Sequence, residues 1–208
     1  MAVVSYVAIP YCCGASSPAN TFQGIFYPTG VMIMQYQDLQ EGGSQSPSIG
    51  YENADGTVGE QIARGWDEAN ALEGGAVAVL PYTVDTPRRY SSAAWVYEWV
   101  DISDHTVITN DDWLDGTGTT WGSDDGFITY ALPFNFPYYG LVATEMHIGT
   151  NGYITFGAGA PSGHYGYGNS LPIPDDFSTI DNVALDGLIG VLWADLDPSS
   201  AATDAGAG

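Results

Sequence analysis

Lysine is absent from the 208 residues, and arginine occurs only at Arg64, Arg88 and Arg89. Against these three bases stand 25 acidic residues and a formal net charge of −22. Sixteen of the acids lie between Tyr90 and Gly208, a stretch with no base at all. Such a field repels phosphate, so nucleic acid and anionic membrane surfaces are poor partners, and cations are attracted. The acidity has three accounts: bound divalent metal, adaptation to high salt, and the solubility of an exported protein.

Cysteine is also scarce: Cys12 and Cys13 are the only two, and they are adjacent. Adjacency excludes a CxxC metal or redox motif and a CxxCH haem site. It leaves a vicinal disulfide, an intermolecular bridge or two inert thiols, and a disulfide is the expectation for an exported β domain. No apolar run approaches the roughly 18 residues that a membrane span needs, so membrane insertion is not expected. The opening "MAVVSYVAIP" lacks a basic n-region and is too short in its apolar run for a signal peptide. An exported protein would then have lost its signal or be a piece of a longer chain. GxSxG, DTG, DSG, HExxH and Cys/His arrangements are all missing, and acidic pairs are too numerous to single out a glycosidase couple. An enzyme is not expected.

What is present points to an all-β protein. Apolar residues make up 45% of the chain, enough for a core and too many for a disordered acidic tail. The 27 glycines and 12 prolines punctuate short apolar runs, as turns between strands do. "VVSYVAI", "TFQGIFY", "VMIMQYQ", "SIGYEN" and "GGAVAVLPY" read as strands, with Pro28-Thr29-Gly30 and "NADG" as turns. "GWDEANAL" leaves room for one helical turn. "TVDTPRRYSSA", residues 83–93, is the best linker. A second group of strands follows: "WVYEWVDIS", "HTVIT", "FITYALPFNFPYYG", "TEMHIG", "YITF" and "LIGVLW". Pro133 and Pro137 confine their segment to an edge or irregular strand.

The later motifs, "YALPFNFPYYG", "MHIGTNGYITFG", "NSLPIP" and "IGVLWADLDP", resemble in order the opening half of the nidogen-like extracellular β-sandwich domain, related modules of which are common in secreted bacterial and archaeal proteins. The earlier ones, "VVSYVAI", "NTFQGIFY", "IMQYQDL", "SIGYENADGTVG" and "GGAVAVLPY", are similar to its closing half. The resemblance implies a jelly-roll or nidogen-like sandwich whose halves come in permuted order: residues 1–82 closing, 83–93 linker, 94–208 opening. Neither half buries its apolar face alone. One solution is a circular permutant. A second is completion by a neighbouring subunit, with a contact on the order of 2,000–5,000 Å², and a third is one repeat of a tandem array. An eleven-residue linker spans at most about 35 Å, enough for return to the same unit or a step to the next. The expectation is a structural subunit of an extracellular filament, tube or cell-surface assembly, joined head to tail to copies of itself by strand complementation. The alternative is an extracellular adhesion module that binds glycan or matrix.

Two acidic motifs are candidate calcium sites. "NDDWLDGTGTTWGSDDG" supplies Asp111, Asp112, Asp115, Asp124 and Asp125 among glycines, the kind of oxygen-rich loop a hard cation takes, without EF-hand spacing. "ADLDPSS" places Asp195 and Asp197 two apart, on one face of a strand and next to the permuted chain ends. The bland accounts are a solvated loop for the first and a capped turn before Pro198 for the second. "GAGAPSGHYGYGNS" (157–170), with His164, Tyr165 and Tyr167, is the candidate partner or ligand loop, against a plain surface loop. "ENADGTVGE" is read as a structural turn, and the scattered His105, His147 and His164 form no zinc motif.

Overall fold

The structure, a computed structural model, describes residues 1–11, 19–41, 46–54, 56–81, 90–102, 105–109, 112–113, 122–156, 173 and 187–200. Cys12, Cys13, Asp111, Asp115, His164, Tyr165 and Tyr167 lie outside them.

Among the described residues, eleven strands form two antiparallel sheets. The first part of the chain gives β1 (Ala2–Pro10), β2 (Ala19–Phe26), β3 (Met32–Asp38), β4 (Ser48–Glu52), β5 (Gly59–Arg64) and β6 (Ala76–Pro81). The second gives β7 (Tyr90–Trp95), β8 (Phe127–Tyr138), β9 (Leu141–Gly149), β10 (Tyr153–Thr155) and β11 (Leu188–Trp193). One sheet runs β1-β2-β3-β6-β7, the other β5-β4-β11-β10-β9-β8. This is the expected all-β sandwich, and each sheet takes strands from both parts of the chain. The seam in the six-stranded sheet is β11 on β4, with Ile189 opposite Tyr51, Gly190 opposite Gly50 and Trp193 opposite Ser48.

Local sequence explains the elements. In β1 the alternation of Ala2, Val4 and Tyr6 with Val3 and Ser5 puts one row in the core and the other outside. β2 and β3 meet at the Pro28-Thr29-Gly30 turn, which needs the left-handed backbone that glycine adopts freely. Gly30 sits there at φ 85° and donates its N–H to Tyr27 O at 2.9 Å. In the "NADG" turn Asn53 N donates to Val58 O at 2.8 Å and Val58 N to Asn53 Oδ1 at 2.9 Å. That is the structural role expected of an Asn in a turn. β8 is an edge strand whose ladder with β9 shifts between Ala131 and Phe136, where Pro133 has no N–H to give.

Two expected strands are corrected. The strand expected at "WVYEWVDIS" sits earlier: β7 is Tyr90–Trp95, paired with β6 from Pro81 opposite Tyr90 to Ala76 opposite Trp95, and it takes in residues 90–93 of the linker stretch. Glu98 and Val100 instead give their backbone groups to glutamine side chains, described below. "HTVIT" forms no strand. "GEQIAR", not among the strands expected above, forms β5, paired along the edge of β4. The helical turn is real and short, α1 at Trp66–Asn70.

The core lies between the sheets. Phe22, Phe26, Phe136, Tyr138 and Phe156 meet there, with Phe136 and Phe156 stacked at 4.8 Å and Phe26 edge-on to both. Both arrangements suit the quadrupoles of the rings. Buried tyrosine hydroxyls tie the two parts of the chain together: Tyr6 donates to Gly149 O at 2.8 Å, Tyr36 to Val191 O at 2.8 Å and Tyr138 to Glu52 O at 2.7 Å. Burial holds the Tyr6 and Tyr36 hydroxyls protonated, far above the usual phenol range.

Candidate metal centre

The corner where β9 turns into β10 collects the acids that the sequence set apart. Thr150-Asn151-Gly152 makes that turn, and only glycine fits its last position. Gly152 sits at φ 75°, and a Cβ there would lie 2.1 Å from Leu192 O. The turn frees the fully buried Asn151 side chain to act as a hub. Its Nδ2 donates to Asp125 Oδ1 at 2.9 Å, and its Oδ1 accepts Leu196 N at 2.7 Å. Its main-chain oxygen accepts Ala194 N at 3.1 Å. Thr150 in turn holds Gly126 through N–H and hydroxyl contacts of 2.9 and 3.1 Å. Asn151 therefore joins α2 (Gly122–Asp125), which carries Asp124 and Asp125, to the segment after β11, which carries Asp195 and Asp197.

That segment is not the strand expected for Asp195 and Asp197, because β11 ends at Trp193. A single bridge, Tyr11 opposite Leu196, and the 3.0 Å bond from Asp197 N to Pro10 O fasten it to the end of β1. Asp197 Oδ1 accepts both the N–H and the hydroxyl of Ser199, so the capped-turn account holds for this residue. Both acids are buried, each 8% exposed.

The electrostatics of the corner are those of carboxylates short of positive charge. Burial, then the charges of Asp125, Asp197 and Asp195, push the Asp124 carboxyl up to about 7. Burial, then Asp125 and Asp197, push Asp195 up to about 6. Asp124 Oδ1 is buried and has no hydrogen-bond partner among the described residues. Asp195 is more than nine-tenths buried. Calcium takes six to eight oxygens from carboxylates and carbonyls, which is the chemistry gathered here. No three His, Cys, Asp or Glu side chains among the described residues converge on one ion-sized point.

Asp112 stands apart: its exposed carboxylate accepts Thr109 N at 2.7 Å and Thr109 Oγ1 at 2.9 Å, bonds that hold it below the usual range. His147 is buried, with Nδ1 2.9 Å from Thr129 Oγ1, and burial lowers its pKa despite the Glu145 charge. The residue missed from sequence is Asn151, which stands between "TEMHIG" and "YITF" and carries no site role there.

A two-sheet sandwich with tyrosine-stitched halves and an acidic corner defines a β-sandwich module of the nidogen-like kind. Residues 89–206 match the NIDO-related family, over half of the chain, and the chain belongs to that family. No match was found among curated proteins or solved structures. Among the described residues no helix is long and apolar enough to cross a membrane.

Proposed function

We propose that the chain is a structural subunit of an extracellular filament, tube or surface assembly, completed head to tail by copies of itself, with calcium tightening its acidic corner. The observation that carries the reading is the seam. The β11–β4 ladder and the bonds of Tyr6, Tyr36 and Tyr138 all join residues 1–81 to residues 90–208, while one covalent link, residues 82–89, connects them. Each part supplies strands to both sheets and closes no core alone. Made between neighbours instead of within one chain, the same contacts are heterologous and propagate. The acidic, lysine-free composition suits a secreted protein. The buried, unpartnered Asp124 Oδ1 beside three other carboxylates favours a divalent cation over a merely solvated loop.

The test is mass by light scattering together with negative-stain microscopy of the full chain, in calcium and then in excess chelator. Long polymers that dissolve in chelator are the expected result. Polymers indifferent to chelator remove calcium and keep the assembly. A compact monomer in both conditions overturns the subunit reading.

A further inference from the structure

Gln23 and Gln35 are fully buried, and both lie on the outer face of the five-stranded sheet, away from the core. They are directly opposite each other in the β2–β3 ladder. The ladders continue the row on both sides, giving Ser5, Gln23, Gln35, Ala76 and Trp95 across five strands. Each glutamine grips one residue of the segment after β7 by both of its backbone groups. Gln35 Nε2 donates to Glu98 O at 2.7 Å, and its Oε1 accepts Glu98 N at 2.7 Å. Gln23 Nε2 donates to Val100 O at 2.8 Å and to Ser5 Oγ at 2.9 Å, and its Oε1 accepts Val100 N at 3.2 Å.

The spacing is physical. Residues two apart in an extended chain are about 6.6 Å apart, and neighbouring strands about 4.8 Å, so alternate residues of a slanted strap reach successive strands. The strap leaves β7 at Trp95 and runs back along the polar row. Tyr97 and Val100 cover a second apolar cluster of Ile25, Ile33, Ala76 and Ala78. Recognition is of backbone, as in strand addition, with the apolar pair supplying selectivity. At the root of the strap Trp95 and Val96 remain 51% and 77% exposed. They form an apolar surface that the single chain leaves uncovered.

We propose that this face, centred on Gln23 and Gln35, is the receptor for the 90–102 segment of a second copy of the chain, filled by the chain's own segment when it is alone. This rests on the assembly reading above and names the contact that must change partners in it. The receptor lies on residues before 82 and its occupant after 89, so exchange leaves every ladder within residues 1–81 and within residues 90–208 intact.

The experiment mixes equal amounts of ¹⁴N and ¹⁵N full-length chains carrying p-benzoylphenylalanine in place of the exposed Val96. The chains are allowed to assemble together and irradiated, and cross-linked peptides are read by mass spectrometry alongside particle mass. Cross-links from position 96 to β3 or β6 that pair light with heavy peptides in about half of cases are expected. Gln23→Leu with Gln35→Leu keeps the volume, removes the four clamp bonds and should cut mixed pairs roughly tenfold or more. Same-isotope pairs alone in polymeric material overturn the receptor and leave the assembly standing. Same-isotope pairs in monomeric material overturn both.

Discussion

At the edge where β5 of one sheet approaches β7 of the other, a single half-buried acid closes the sandwich. Glu60 Oε2 accepts the Tyr51 hydroxyl at 2.7 Å and Ser92 N at 3.1 Å, and Oε1 accepts the Ser92 hydroxyl at 2.5 Å. Burial alone would raise this carboxyl, and the three donors more than reverse it, so its pKa is lowered. At the corner around Asn151 four acids meet, and the titration of Asp124 and Asp195 moves the other way. Both places are acidic, and the difference between them is donors. A carboxylate given donors becomes a fastener between sheets, and a buried carboxylate crowded by others without enough donors holds its proton more tightly.

The largest effect that sharpens this contrast is the response to calcium. A ligand at a hundred times its Kd stabilises by about 2.7 kcal/mol, which for a chain of this size raises Tm by about 5–10 °C. Calorimetry of the chelated protein with and without added calcium should show a rise of that order. Asp195→Asn should abolish the rise and, in chelator at neutral pH, should increase Tm by about 2–4 °C because it removes one buried like charge. A calcium response that survives Asp195→Asn would break the assignment of the corner.

The next effect is the slope of stability against pH in chelator. Asp124 and Asp195 bind protons more tightly folded than unfolded, so their contribution falls as pH rises from the unfolded value of 3.8 to about 6 and 7. Glu60 has the opposite sign: its contribution is present above the unfolded value of 4.5 and is lost as pH falls through its lowered folded value. Metal-free protein should therefore be most stable near pH 5 and less so at pH 8. Asp124→Asn with Asp195→Asn should flatten the neutral side, and Glu60→Gln should cost about 1 kcal/mol at pH 7 and flatten the acid side. A wild-type curve without a decline between pH 5 and 8 would contradict the raised values at the corner.

The parts of this molecule legible in its sequence are those where one local pattern has one physical solution. Alternation in "AVVSY", the Pro-Thr-Gly turn and the prolines of "ALPFNFP" fix strand, hairpin and edge without help from distant residues. The two acidic motifs are also visible, and their composition suggests calcium. Their meeting is not visible, because Asn151, 26 residues beyond Asp125 and 45 before Leu196, is what brings them together. Nor is the strap. "WVYEW" has the composition of a strand, and only the buried Gln23 and Gln35 across the chain divert its backbone bonds. A glutamine inside an apolar run such as "TFQGIF" or "MIMQY" is the signal on offer: a polar side chain facing away from the core and still needing partners.

The smallest effect tests whether acidity alone makes a site. Asp112 belongs to the same acid-rich stretch as Asp124 and Asp125, and composition gives no reason to separate them. Its carboxylate is exposed and already holds Thr109 through two hydrogen bonds, so it has neither the burial nor the crowding by like charges that distinguishes Asp195. Asp112→Ala should shift Tm by less than about 1 °C, as for most exposed positions, and should leave the calcium-induced rise at its wild-type size. Loss of that rise in Asp112→Ala would extend the ion's shell to this loop and make the acid-rich stretch, rather than the Asn151 hub, the feature that builds the site.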